Sequence, residues 1–293
     1  REYQPQTGRF CAQDVVAGNG AVPVTLNRYG YCLGNPVSCI DYDGMKGYYF
    51  YDPLTYTGVD HNGKPYKVDM DKIVDADIKN LEEVYDTTIE PIAMNSQFNE
   101  DYTTFSDEWN KIADKGEHVD VIAIMTHANN DYFVTDSEMD GDRRETTQKM
   151  YRTDINNLQD MNIDTLLLLG CSMGIANQRD NPNNDPYRAA DETNLNNLAS
   201  QFYAADYRKS IGQIIAANGS VMHGTDSEGK RIIYAIPNKL VGTEEAAFRR
   251  FYIENGQFTI QENIDIRLYM GDISNKGHEG VCEQDGKKYD KKK

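Results

Sequence analysis

The 293 residues carry 30 basic against 47 acidic side chains, a formal net charge of −17, with 39% hydrophobic and 26% charged residues. A chain of this kind can bury a sizeable core, and its acidic surface repels phosphate backbones, which disfavours nucleic-acid and anionic-membrane binding. No apolar run approaches the roughly 18 residues that span a bilayer, so no membrane segment is expected.

The chain opens on Arg1 with neither Met nor a signal peptide, and is expected to be a piece of a longer protein. Cys11, Cys32, Cys39, Cys171 and Cys282 are too few and too irregular for a disulfide framework. His61, His118, His127, His223 and His278 show no zinc spacing, so neither metal nor cofactor is expected. Twenty tyrosines and many Asn, Asp and Gly turns suit an exported protein, and the basic tail "KKYDKKK" reads as a frayed terminus.

Residues 1–45 are rich in Gly, Asn, Pro and Val with short β-like pieces; beyond Gly44 strands and helices alternate. This predicts two regions, 1–45 and 46–293, the second with a core over about 69–235 and an extension over 236–293. "GYYFY" (47–51) reads as a strand. Residues 69–86 read as an amphipathic helix with Ile73, Ile78, Leu81 and Val84 near one face. "IEPIAM" reads as a strand, and "SDEWNKIADKG" as a helix capped by Ser106 and stopped by Gly116. "VDVIAIMTH" (119–127) is a strand buried on both faces, followed by a polar loop, "ANNDYFVTDSEMDGDRRETTQ". Within that loop Asp136, Glu138, Asp140 and Gly141 match the start of a calcium loop, but Thr147 stands where Glu is needed, so a solvated acidic loop is expected.

"TDINNLQDM" (153–161) reads as a short helix and "TLLLL" as the next buried strand. "TNLNNLASQFYAADYRKS" reads as a helix, "IGQIIAANGSVMHG" as two strand pieces around Asn218–Gly219, and "GTEEAAFRRFYI" as a further helix. Alternating elements with strands apolar throughout predict an α/β fold built on a mainly parallel sheet. No repeat of 20–50 residues stands out.

In such sheets ligands bind beyond the carboxyl ends of the strands. His127 follows "VIAIMT" and Cys171 follows "LLLLG". Were the two strands neighbours, about 4.8 Å apart, thiol and imidazole would face each other as a Cys–His dyad requires. A helix starting after Cys171 would favour the thiolate, and backbone N–H groups at Gly170, Cys171 and Ala128 would hold an oxyanion. Gly170 would clear the approach. A lone Cys after a leucine run is most often a small buried hydrophobe; the paired placement favours the dyad. His223, ending "VMHG", is the rival base in the Cys-before-His order of papain-like enzymes.

"VIAIMTHA" and "TLLLLGCSMG" resemble the two signature blocks of caspase-like (clan CD) cysteine peptidases, where one apolar strand ends in His-Gly and a later one in Ala- or Gly-Cys. The resemblance covers about residues 119–222. It implies a caspase-like fold and a thiol peptidase with His127 and Cys171 as its dyad, acting on a protein or peptide substrate. Ala128 replaces the usual Gly, and Leu169–Gly170 stand in place of "QA", so cleavage after Asp is not implied. Arg143, Arg144, Arg152 and Arg179 are the candidates for a pocket that would take an acidic side chain.

"REYQPQTGRFCAQDVV…LNRYGYCLGNPVSCIDYDGM" resembles the end of an RHS/YD-repeat core, through TGRF at 7–10, Asp14, Asn27, Tyr29, Tyr31, Asn35–Pro36, Asp41 and Asp43–Gly44. That resemblance implies a short β-rich core remnant followed by a variable domain, often a toxin, in a secreted or cell-surface protein delivered into a target cell. It also implies an immunity protein as partner, and self-cleavage after Met45 assisted by Asp14 and Asp41. Tyr42 replaces Pro and Met45 replaces Leu, and both aspartates also suit ordinary turns. The expectation is a cysteine endopeptidase effector, with self-processing of the parent chain or a non-catalytic binding module as alternatives. A nuclease toxin is disfavoured by the acid excess and the lack of a His/Asp metal motif.

Overall fold

The computed structural model describes residues 3–4, 9–10, 46–54, 56–59, 65–68, 70–140, 143–175, 197–204, 210–226, 228–237, 246–254 and 257–274. Asp14, Asp41, Met45 and Arg179 lie outside them. The chain divides into two compact units, Arg1–Met45 and Lys46–Lys293. In the first, β1 (Tyr3–Gln4) pairs antiparallel with β2 (Arg9–Phe10).

In the second unit the elements follow as β3 (Lys46–Tyr51), β4 (Tyr56–Val59), β5 (Pro65–Val68), α1 (Met70–Tyr85), β6 (Thr88–Ala93), α2 (Phe105–Ala113) and β7 (Val119–Met125). Then come β8 (Tyr132–Asp140), β9 (Arg143–Tyr151), a 3-10 helix (Arg152–Asn157), β10 (Ile163–Leu168), α3 (Leu198–Ala204) and β11 (Ile211–Ala217). β12 (Ser220–Thr225), β13 (Arg231–Ile236), β14 (Phe248–Glu254), β15 (Gln257–Ile264) and α4 (Arg267–Met270) complete them.

Seven strands form one mixed sheet in the order β15-β14-β11-β10-β7-β3-β6. β6, β3, β7, β10 and β11 are mutually parallel, and β14 and β15 add antiparallel pairs at one edge. The fold is therefore α/β on a mostly parallel sheet.

Past Asp120 and Asp164–Thr165 at their amino ends, β7 and β10 are apolar at every position because both faces are covered. Ile122, Ile124, Leu166 and Leu168 enter one core with Phe105 and Trp109 of α2, Phe202 of α3, and Phe133 of β8. Val121, Ala123, Leu167 and Leu169 enter the other with Ile73 and Leu81 of α1, Val221 and Ile233 of the β12–β13 hairpin, and Met270 of α4. Along α1 the buried face is Met70, Ile73, Val74, Asp77, Asn80 and Leu81. It takes in an aspartate the apolar periodicity passes over, while Val84 is exposed.

Four local expectations are corrected. α2 is capped by Thr104, whose hydroxyl accepts the Asp107 N–H at 3.1 Å, and not by Ser106, which lies inside the helix. The expected acidic loop after His127 is the β8–β9 hairpin. Its base is buried but polar, so the hydropathy is that of a loop. Asn95 Nδ2–H donates to Ser137 O (2.5 Å), Tyr102 OH to Thr135 O (2.6 Å) and Ser137 Oγ–H to Asp52 (2.7 Å). Asp136 therefore belongs to a strand, not to a calcium loop.

The helix expected over "AAFRRFYI" is strand β14. Phe248 and Phe251, three apart, mimic one helical face; in a strand that odd spacing sends them to opposite faces, and each sheet face has a core to receive one. Of the helix expected over 193–210, Leu198–Ala204 is helical while Asn197 and Ser210 are not, and residues 193–196 and 205–209 lie outside those described.

Candidate active site

β7 and β10 are adjacent and parallel, with Ile124 paired to Leu168. Counting equally past that pair, Thr126–His127 and Gly170–Cys171 leave the sheet side by side at its carboxyl edge. β3 lies on the other side of β7, with Tyr51 paired to Met125 and the Asp52 N–H bonded to Met125 O at 3.3 Å. From β3 the chain runs outward to β6 and then returns to β7 on the opposite flank, so the topological switch point falls between β3 and β7, where open α/β sheets bind ligands.

The Gly170 and Ala128 turns pack directly on one another. A Cβ on Gly170 would stand 2.6 Å from Ala128 Cβ, 2.7 Å from Met173 Sδ and 2.9 Å from Thr126 O. Glycine is thus demanded by the packing of the two loops. Gly170→Ala is expected to cost about 1–3 kcal/mol by overpacking and to push the His127 loop from the Cys171 loop. Urea denaturation followed by the fluorescence of Trp109, the single tryptophan, measures the cost.

The His127 side chain is exposed, and its carbonyl accepts the Val134 N–H at 2.8 Å. Asn129 N–H bonds Tyr132 O at 2.9 Å, so the Ala128–Phe133 bridge is framed by its neighbours' hydrogen bonds. In such a pair the amide of Ala128 itself faces away from Phe133.

Cys171 is partly buried. Its Sγ accepts the Val221 N–H at 3.3 Å, and its S–H lies 3.9 Å from Val221 O. Burial raises the thiol pKa above its ordinary value, offset in part by the Val221 amide and the Ser220 side chain. Burial thus favours the protonated thiol over the thiolate. The turn after it is held across the β11–β12 connection by Ser172 N–H to Gly219 O (2.7 Å) and Gly174 N–H to Ala217 O (2.8 Å). Ser172 is buried with φ +58°, a left-handed conformation that costs a non-glycine residue of the order of 1 kcal/mol. Residues 171–174 form a turn, so no helix start lies directly after Cys171 to favour the thiolate.

His223 takes no part as a base. Its Nδ1 accepts from the Arg231 guanidinium at 2.6 Å, which leaves Nε2 as the protonated nitrogen, donating to Leu169 O at 2.9 Å. Burial and then Arg231 push its pKa down to about 3, so the ring is neutral with both nitrogens engaged.

Of the arginines put forward for a substrate pocket, Arg143 and Arg144 fall at the start of β9, at the hairpin tip. Arg152 is buried, with Nε 3.9 Å from Asp131. Sequence reading missed Asp52, a buried carboxylate at the switch point that accepts from Ser137 Oγ (2.7 Å) and Leu54 N–H (3.1 Å). The signal was present in "GYYFYD", where a polar residue closes a buried strand. It also missed a trio at the opposite end of the sheet. Asp120 and Asp164 meet there through the β7–β10 register, with His118 Nε2 3.1 Å from Asp164 and 3.9 Å from Asp120. These three could offer ligand atoms to a cation. Asp120 also accepts the Lys46 N–H at 2.7 Å, and burial pushes its carboxyl pKa up.

Comparison with protein-family models, with curated proteins and with solved structures gives no match. Among the described residues no helix is long and apolar enough to cross a membrane.

Proposed function

We propose that the unit Lys46–Lys293 is a cysteine endopeptidase of caspase-like type, the effector of an RHS-type protein. The observation that carries the reading is the equal-register exit of His127 and Cys171 from adjacent parallel strands, one strand from the topological switch point. Cys171 Sγ attacks the scissile carbonyl carbon, the C–N bond breaks, and His127 passes the thiol proton to the leaving amine. Water then hydrolyses the thioester, with His127 as base. The Ala128 amide, turned from β8, and the amides of the Gly170–Cys171 turn are the oxyanion donors.

No bound cofactor enters this chemistry. The substrate is a protein or peptide, and on the toxin reading an immunity protein protects the producing cell from an effector delivered outside it. The raised thiol pKa favours one second reading, a non-catalytic binding module. Self-processing of the parent chain by this unit is the remaining alternative, and it predicts uncut precursor in Cys171→Ala.

The test is labelling by a thiol-reactive peptide electrophile across pH 5–10, read at Cys171 by peptide mass spectrometry. Wild type is expected to label near neutrality. His127→Ala is expected to label only above the ordinary thiol range, because the buried thiol then has no proton acceptor, and Cys171→Ala not at all. Identical pH profiles for wild type and His127→Ala would leave the binding-module reading in its place.

A further inference from the structure

A buried polar relay runs beneath the candidate site. Asp77 of α1 and Arg231 of β13 are both fully inaccessible at their side chains and form an ion pair at 2.6 Å. Tyr49 of β3 donates to the other Asp77 oxygen at 2.5 Å, and its hydroxyl lies 3.2 Å from Met125 Sδ. The guanidinium also donates to Gly224 O (3.1 Å), to Ile232 O and to His223 Nδ1 (2.6 Å), and one nitrogen is 3.9 Å from Met125 Sδ. His223 passes the relay on through Nε2–H to Leu169 O at 2.9 Å.

The relay touches the sheet at two informative points. Met125 is two residues before His127, and Leu169 is two residues before Cys171. β12 also runs along the Cys171 turn in antiparallel fashion. Gly219 O takes the Ser172 amide, the Val221 amide meets Cys171 Sγ, and the His223 ring takes the Leu169 carbonyl. Because the peptide unit is planar, holding the Leu169 carbonyl fixes the plane of the bond into Gly170, and with it the direction in which Cys171 leaves the strand. The ring can do this in only one tautomer, which Arg231 dictates because a guanidinium donates and never accepts. Asp77 and Tyr49 in turn fix the guanidinium.

We propose that His223 is a positioning residue. Oriented by the Asp77–Arg231 pair, it holds the Leu169 carbonyl so that Cys171 is presented to His127. This deepens the peptidase reading and rests on it. His223 touches no reacting atom; it acts through the peptide bond two residues ahead of the sulfur.

The experiment is a double-mutant cycle on the full chain. The probe is iodoacetamide, the readout the labelling rate of Cys171 at neutral pH by peptide mass spectrometry, and Trp109 fluorescence reports that each variant is folded. In wild type, His127→Ala is expected to slow labelling by about tenfold or more, the effect of losing the imidazole that takes the proton of a buried thiol. In the His223→Leu background the same change is expected to matter less than about twofold, since a misdirected thiol no longer meets the imidazole.

His223→Gln keeps a donor for Leu169 O and an acceptor for Arg231, and is expected to restore the dependence on His127. Loss of packing alone would lower stability without moving that coupling. A full His127 effect in folded His223→Leu overturns the positioning role and leaves the dyad standing. No His127 effect in wild type overturns the dyad, and the positioning role with it.

Discussion

Asp77→Ala is expected to be the most destabilising single change in the unit, at about 3–5 kcal/mol, because it strands a buried guanidinium without its counter-charge. Arg231 is inaccessible to water, so it cannot be rehydrated without opening the β12–β13 hairpin. The Tyr49 hydroxyl, whose pKa burial and then Asp77 hold well above its ordinary value, loses its acceptor in the same step. Typical domains have only 5–15 kcal/mol in hand, so the variant is expected to be largely unfolded at 37 °C.

Urea denaturation at 25 °C, followed at Trp109, measures the effect. Replacing both charges by apolar residues, Asp77→Leu with Arg231→Met, is expected to recover part of the loss, because then no unpaired charge remains buried. The same cluster sets an acid limit. His223 is neutral in the fold, with a pKa near 3 against about 6.5 when unfolded, so stability is present above the unfolded value and lost as pH falls below it. His223 alone is expected to contribute a loss of about 1 kcal/mol per pH unit as pH falls below the unfolded value, and that contribution disappears in His223→Gln.

His127→Ala is expected to lower kcat/KM for peptide hydrolysis by about 10²–10⁴-fold, with KM little changed. The thiol alone is a poor nucleophile here: burial raises its pKa, and the turn after it places no helix start beside it. Deprotonation therefore depends on an adjacent base, and His223 cannot serve because both its nitrogens are taken. His127 is the one remaining histidine at this edge of the sheet among the described residues. A profiled peptide library, assayed with Cys171→Ala as the blank, measures the ratio. Equal rates in wild type and His127→Ala would remove the imidazole from the mechanism.

The amino-acid sequence by itself determined the elements whose environment is uniform. "VIAIM" and "TLLLL" read as strands covered on both faces and the 69–86 periodicity as an amphipathic helix, because local hydropathy reports burial where most residues of a face meet the same surroundings. It also singled out His127 and Cys171, since each closes such a strand. Where burial and polarity part company, local pattern fails. The β8 base is buried through hydrogen bonds and so has the composition of a loop, and Phe248 and Phe251 mimic a helical face only because the sheet has a core on each side. What the tertiary structure alone decided is pairing across long separations: the β7–β10 register that ends the two strands of His127 and Cys171 level with each other, the Asp77–Arg231 contact across 154 positions, and the tautomer of His223. Those depend on which strands become neighbours, a choice made by the packing of whole faces, and no residue carries it in its own local sequence.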